Sequence, residues 1–124
     1  MTRNILGVVA GLVAWLLLAA ILGVVMRNSW PAYAAVAETM SFTLPMMFAR
    51  LSIGALATVA AGFVTALITR SAVAKLIPGV LLLIAFIPQH VMLWDKFPIW
   101  YHLTFLLSLV PLTYLGSRLA PQRT

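Results

Sequence analysis

Four polar residues stand inside otherwise apolar stretches of this 124-residue chain: Arg50, Gln89, His90 and His102. Imidazole nitrogens can ligate a metal or haem iron, or hydrogen-bond a quinone. A guanidinium pairs with carboxylates and other anions. His90 lies four residues before Trp94, and His102 four residues after Pro98. If the segment between them is a hairpin turn, both histidines lie ~6 Å inside their helix ends, at one depth. Arg50, five residues after Pro45, falls at nearly the same depth. Glu38 and Asp95 are the only acids in the chain, and both belong to this end. Arg50, Gln89, His90, His102, Glu38 and Asp95 therefore form one candidate polar cluster, either a ligand site or a structural network.

Each member also has a plainer reading. Arg50 can snorkel toward a membrane interface on its long stem, or pair with Glu38 or Asp95. His102 belongs to Trp100-Tyr101-His102, which resembles part of an interfacial aromatic belt. His90 follows Pro88 and can bond a carbonyl that the proline frees. Met26, Met40, Met46, Met47 and Met92 gather at the same level. Thioether and imidazole ligands suit Cu(I), but these methionines show no tight repeat, and Met is a common apolar filler. The expectation is no cofactor and no metal ligand, with haem, a metal or a quinone on Arg50, His90 and His102 as the alternative. The absence of Cys excludes disulfides and thiolate chemistry. Two acids are too few for acid–base chemistry, and there is no phosphate loop, Ser-x-x-Lys or HExxH. No catalytic residue is assigned, and the chain is not expected to be an enzyme.

The elements that must position these residues follow from composition. The chain is 64% hydrophobic and 8% charged, against ~45–50% and ~25% for soluble domains. A domain this small cannot hide that much apolar surface, so much of it must face lipid. Eight Lys and Arg against two acids give a net charge of +6. The basic residues are scattered singly between apolar blocks, which argues against nucleic acid and for the flanks of membrane helices. They divide the chain into four blocks near the ~20 residues that span ~30 Å of hydrocarbon. With no water for the backbone, each block must be helical. The reading is an all-α, four-transmembrane-helix bundle, up-down-up-down, with helices about 5–26, 45–69, 72–94 and 98–117 in one domain. Residues 27–44 form an interfacial loop in which Trp30, Tyr33 and Glu38 can lie on a short helix. Thr43 and Ser71 are the expected caps of the second and third helices. Pro88 and Pro111 should kink the third and fourth, with Ser108 near the second kink. The first block is too long for a cleaved signal core and is expected to be retained.

Lys and Arg set the orientation. With the N-terminus inside, Arg3, Arg70, Lys75, Arg118 and Arg123 are inner, and Arg27, Arg50 and Lys96 are outer. N-in and C-in follow, in a bacterial inner membrane. Gly54, Thr58, Gly62 and Ala66 recur every four residues in the second helix, flanked by Ala57, Ala61 and Thr65. Such a face packs closely against another helix, within the bundle or in a dimer. Gly7 and Gly11 repeat the signal in the first helix.

The segment Phe97-Pro98-Ile99-Trp100-Tyr101-His102-Leu103, with Pro111-Leu112-Thr113 and Gly116, resembles a group of small uncharacterised four-helix bacterial inner-membrane proteins. It covers about a fifth of the chain and implies no function. The first block lacks the glutamate of small multidrug-resistance transporters, and the third lacks the threonines of fluoride channels. The leading expectation is a non-enzymatic helix-packing or accessory membrane protein. The alternatives are an outer-side binding or redox module, and a small oligomeric transporter. Its partners would be the lipid bilayer and either a second copy or another membrane protein, not nucleic acid.

Overall fold

The computed structural model describes residues 2–121, and Arg123 of the topology argument lies outside them. The apolar blocks fold as helices, and the described residues contain no strand. α1 spans Thr2–Ser29, α2 Pro31–Val36, α3 Leu44–Ile68, α4 Ile77–Met92 and α5 Ile99–Leu119, with a 3-10 turn at Trp94–Lys96. α1, α3 and α5 are long and apolar enough to cross a membrane. α4 has 16 residues, ~24 Å of helix against ~30 Å of hydrocarbon.

Local chemistry sets the helix ends. Thr43 holds the N-cap position of α3 with extended backbone, and its N–H donates to Met46 Sδ at 3.5 Å. Pro45 sits in the first turn, where a missing N–H costs little. α4 begins at Ile77 rather than at the expected Ala72. A helix running from Ala72 would place Pro78 in its interior, against the Ala74 carbonyl. Instead, Pro78 occupies the first turn of α4. Ser71 caps a separate turn before it: its Oγ accepts from the Ala74 N–H at 3.1 Å. The Leu76 N–H then closes on the Val73 carbonyl at 3.0 Å. Pro88 and Pro111 do lie inside α4 and α5. The Ser108 hydroxyl donates to the Phe105 carbonyl at 2.8 Å, not to the Leu107 carbonyl that Pro111 leaves without its helical partner.

α3 is the centre of the bundle, packed on α1 on one side and on α5 on the other. α4 leans on α5 and meets α1 and α3 only lightly. Small residues make the α3 contacts close. A β-carbon at Gly62 would collide with the Thr113 carbonyl, and one at Gly116 with the Val59 carbonyl, so α3 and α5 touch backbone to backbone. One at Gly11 would lie 2.8 Å from the Ala61 carbonyl, so α1 meets α3 nearly as closely. Of the predicted packing face, Gly54 adjoins Phe105, while Ala57, Thr58, Ala61, Thr65 and Ala66 are buried.

Hydrogen bonds reinforce α1 on α3. Trp15 Nε1 donates to Thr58 Oγ1 at 3.0 Å, and Thr65 Oγ1 donates to the Gly7 carbonyl at 2.9 Å. Thr69 bonds Asn4, and Arg3 Nε donates to the Ile68 carbonyl at 2.6 Å. The outward surface is apolar: Ile5, Leu16, Leu17, Ile21, Leu103 and Leu107 are all exposed. Replacing Gly62 by Leu should drive the α3 and α5 backbones apart and lower stability by about 1–3 kcal/mol. Thermal unfolding of the purified protein in detergent checks this, with the wild-type midpoint retained as the contrary result.

Candidate functional site

Opposite the glycine contacts, the bundle carries aromatic and polar residues instead of small ones. Tyr33 from α2, Phe42 and Met46 at the start of α3, and Phe97 and Tyr101 at the start of α5 form a buried cluster. Their rings follow one another, Tyr33 on Phe42 at 5.1 Å, Phe42 on Phe97 at 5.7 Å and Phe97 on Tyr101 at 4.3 Å.

Arg50 lies within this run. Its Nε donates to the Tyr101 hydroxyl at 3.2 Å and one terminal nitrogen donates to the Tyr33 hydroxyl at 2.7 Å. The guanidinium carbon stands 4.7 Å from the Phe42 ring centroid and 5.7 Å from that of Phe97, within cation–π range. Phenols and ring faces hold the cation where the sequence offered Glu38 and Asp95. Both acids are exposed, Asp95 on the 3-10 turn and Glu38 beyond α2. The sequence places Tyr33 in the interfacial loop and Tyr101 in the aromatic belt, and neither stands out there as a partner of Arg50. Their hydroxyls at matching depth were the available signal.

The two histidines meet. His90 Nδ1 and His102 Nδ1 are 2.7 Å apart, and His102 Nε2 is 3.2 Å from the Trp94 carbonyl. His102 is fully buried, stacked on Trp94 at 4.6 Å. His90 stacks on Phe105 at 5.0 Å. It thus pairs with His102 rather than with a carbonyl freed by Pro88.

The contacts fix the direction of the hydrogen bonds for neutral rings. A carbonyl only accepts, so His102 Nε2 carries the proton and donates to Trp94. His102 Nδ1 is then bare and accepts from the N–H at His90 Nδ1. His90 Nε2 is left as a bare lone pair. Two nitrogens bound to one metal at ~2.1 Å in tetrahedral geometry stand ~3.4 Å apart, so the 2.7 Å contact is a hydrogen bond and not a shared metal site. Among the described residues, no three His, Cys, Asp or Glu side chains converge to hold a metal.

A cavity of about 220 Å³ opens beside this network. Arg50, Gln89, His90, Tyr33 and Tyr101 supply its polar lining. Trp15, Phe86, Phe97 and Phe105 supply aromatic walls, and Gly23 leaves a gap in α1. All five helices contribute to its lining, and α1 and α4 pack together only lightly. His90 is 9% exposed and lines this space. Of the six residues read as a polar cluster, Arg50, Gln89 and His90 line the cavity. His102 stands behind His90, and Glu38 and Asp95 lie outside the lining. The volume suits a compact molecule, below the ~300–1,000 Å³ of drug-sized sites, and a haem macrocycle exceeds it.

Comparison with protein-family models, curated proteins and solved structures finds no match to this chain. The neutral pair is expected to show one Nε2–H ring, His102, and one Nδ1–H ring, His90, in ¹⁵N spectra of histidine-labelled protein at alkaline pH. His90→Phe identifies which signal belongs to which ring. Two Nε2–H rings would reject the direction assigned to the bonds.

Proposed function

We propose that this chain is a non-enzymatic integral membrane protein that binds a compact ligand in the cavity lined by Arg50, Gln89 and His90. One observation carries the reading: a guanidinium lines a chamber that neither acid of the chain reaches. A cation held away from bulk water keeps a free-energy incentive to gain an anionic or strongly accepting partner. Two phenols and two ring faces hold Arg50 in place. They leave three of its five N–H donors unused.

The bilayer is the surrounding solvent in this proposal. Three helices of sufficient length and an exposed apolar surface support it. α4 is short, and the turns flanking it complete the fourth crossing at the interfaces. The inner membrane of a bacterium, with both termini inside, fits the distribution of charge. Arg3, Arg70, Lys75 and Arg118 belong to one end, and Arg27, Arg50 and Lys96 to the other. The cavity then faces the outer side. Reporter fusions at both termini should read cytoplasmic, and a periplasmic signal at either rejects the topology.

Binding has its own test. Gly23 lines the cavity and its β-position meets no atom within 4 Å, so Gly23→Phe should fill the chamber without disturbing helix packing. Native mass spectrometry of the protein released from mild detergent should show a bound small molecule on the wild type. The Gly23→Phe protein should lose it while keeping its thermal midpoint. An identical adduct pattern in both proteins would remove the support for a ligand cavity.

A further inference from the structure

The cavity presents two different demands to whatever enters it. Arg50 requires an acceptor, preferably charged. Its Nε–H and one terminal N–H are already used by Tyr101 and Tyr33. One hydrogen on that terminal nitrogen and two on the other remain, and a carboxylate accepts from such N–H groups in charge-assisted bonds. His90 makes the opposite demand. The chain of bonds from the Trp94 carbonyl through His102 commits the His90 proton to Nδ1. Among the described residues His90 Nε2 has no hydrogen-bond partner, and His90 borders the cavity. A lone pair that reaches the cavity accepts from a hydroxyl donor placed there.

Between the two groups the walls are aromatic. Tyr101 connects them, bonded to Arg50 through its hydroxyl and with its ring centroid 6.3 Å from that of His90. Phe86 and Phe105 line the same space. An engineered cavity of about 150 Å³ holds benzene, so 220 Å³ accommodates one substituted ring.

Resting on the ligand-cavity reading above, we infer that the ligand class is a hydroxylated aromatic carboxylate. The carboxylate takes the free N–H groups of Arg50, the ring packs against the aromatic wall of the cavity, and the hydroxyl donates to His90 Nε2. The same donor requirement sets aside an oxidised quinone, which carries oxygen acceptors and no hydrogen for His90. A carboxylate without the hydroxyl satisfies Arg50 and leaves His90 unpaired, which weakens binding without abolishing it.

The test is equilibrium binding to the purified full chain in detergent at pH 8, with 3- and 4-hydroxybenzoate, the matching methoxybenzoates and benzoate as probes. Gly23→Phe serves as the control for partition into the micelle. At least one hydroxybenzoate should bind about 5- to 10-fold more tightly than benzoate and than its methoxy counterpart, the worth of one buried hydrogen bond. His90→Phe should erase that ratio, so that hydroxy, methoxy and unsubstituted acids bind alike. Arg50→Gln should weaken every probe by about 10-fold or more. The comparison among probes on the wild-type protein stands even if a variant does not fold. Equal binding of hydroxy, methoxy and unsubstituted acids overturns the pairing with His90. Failure of every probe on a protein whose native adduct is lost in Gly23→Phe overturns the ligand class and leaves the cavity reading intact. Failure of the probes together with an adduct insensitive to Gly23→Phe defeats both.

Discussion

Backbone contact between α3 and α5 at Gly62 and Gly116 governs the shape of the whole bundle. Close approach of the two backbones supplies the dispersion that holds these apolar helices together. At this end the side chains are hydrogen, methyl or hydroxyl. Toward Arg50 the same helices carry Phe105, Tyr101 and Arg50 itself. Large side chains cannot interdigitate at the spacing that glycines allow, so space opens as the residues grow. Phe105 already presses on Gly54, within 2.8 Å of its β-position. α1 stays on α3 through the Trp15–Thr58 bond. α4 follows α5. The space left among the helices is the cavity.

Arg50 shows how a charge is held without a carboxylate. Both phenol oxygens accept from it while the ring faces of Phe42 and Phe97 present their negative quadrupole. This costs less desolvation than a buried ion pair, because no second charge leaves water. It also leaves the cation uncompensated. An ion pair with Glu38 or Asp95 would have neutralised Arg50 and consumed its fork. The phenols fix the orientation of the guanidinium, and Arg50 lines the cavity.

Depth was legible in the sequence, and azimuth was not. Counting residues from hairpin turns placed Arg50, Gln89, His90 and His102 in one layer, because rise per residue is nearly constant in a helix. The small-residue face of α3 was also legible, since four-residue spacing marks one stripe. Which way each side chain turns around its helix depends on crossing angles and contacts that no local pattern encodes. That is why two acids were favoured as partners of Arg50 over Tyr33 and Tyr101. The start of α4 was misplaced for a local reason. Ser71 is a sound cap, but Pro78 restricts where a helix can begin, and the cap closes a separate turn instead. Ser108, near the proline of α5, bonds the Phe105 carbonyl because a hydroxyl reaches its own helix at i−3 as readily as a neighbouring defect.

The chemistry of the cavity traces back to the end of α4. A helix leaves its last carbonyls without intrahelical donors. Here the chain passes from Met92 through Leu93 into the 3-10 turn at Trp94–Lys96, and the Trp94 carbonyl accepts from His102. That single acceptor determines which nitrogen of His102 holds the proton. His102 in turn determines which nitrogen of His90 does. A carbonyl has no second protonation state, so the direction of the chain is set by backbone and not by titration of a side chain. If an amide N–H stood in place of the Trp94 carbonyl, both rings would reverse, and His90 would present a donor to the cavity beside the donors of Arg50. The ending of one helix thus gives His90 the acceptor character opposite to that of Arg50, and two unlike partners on one small chamber can select a molecule as well as hold one.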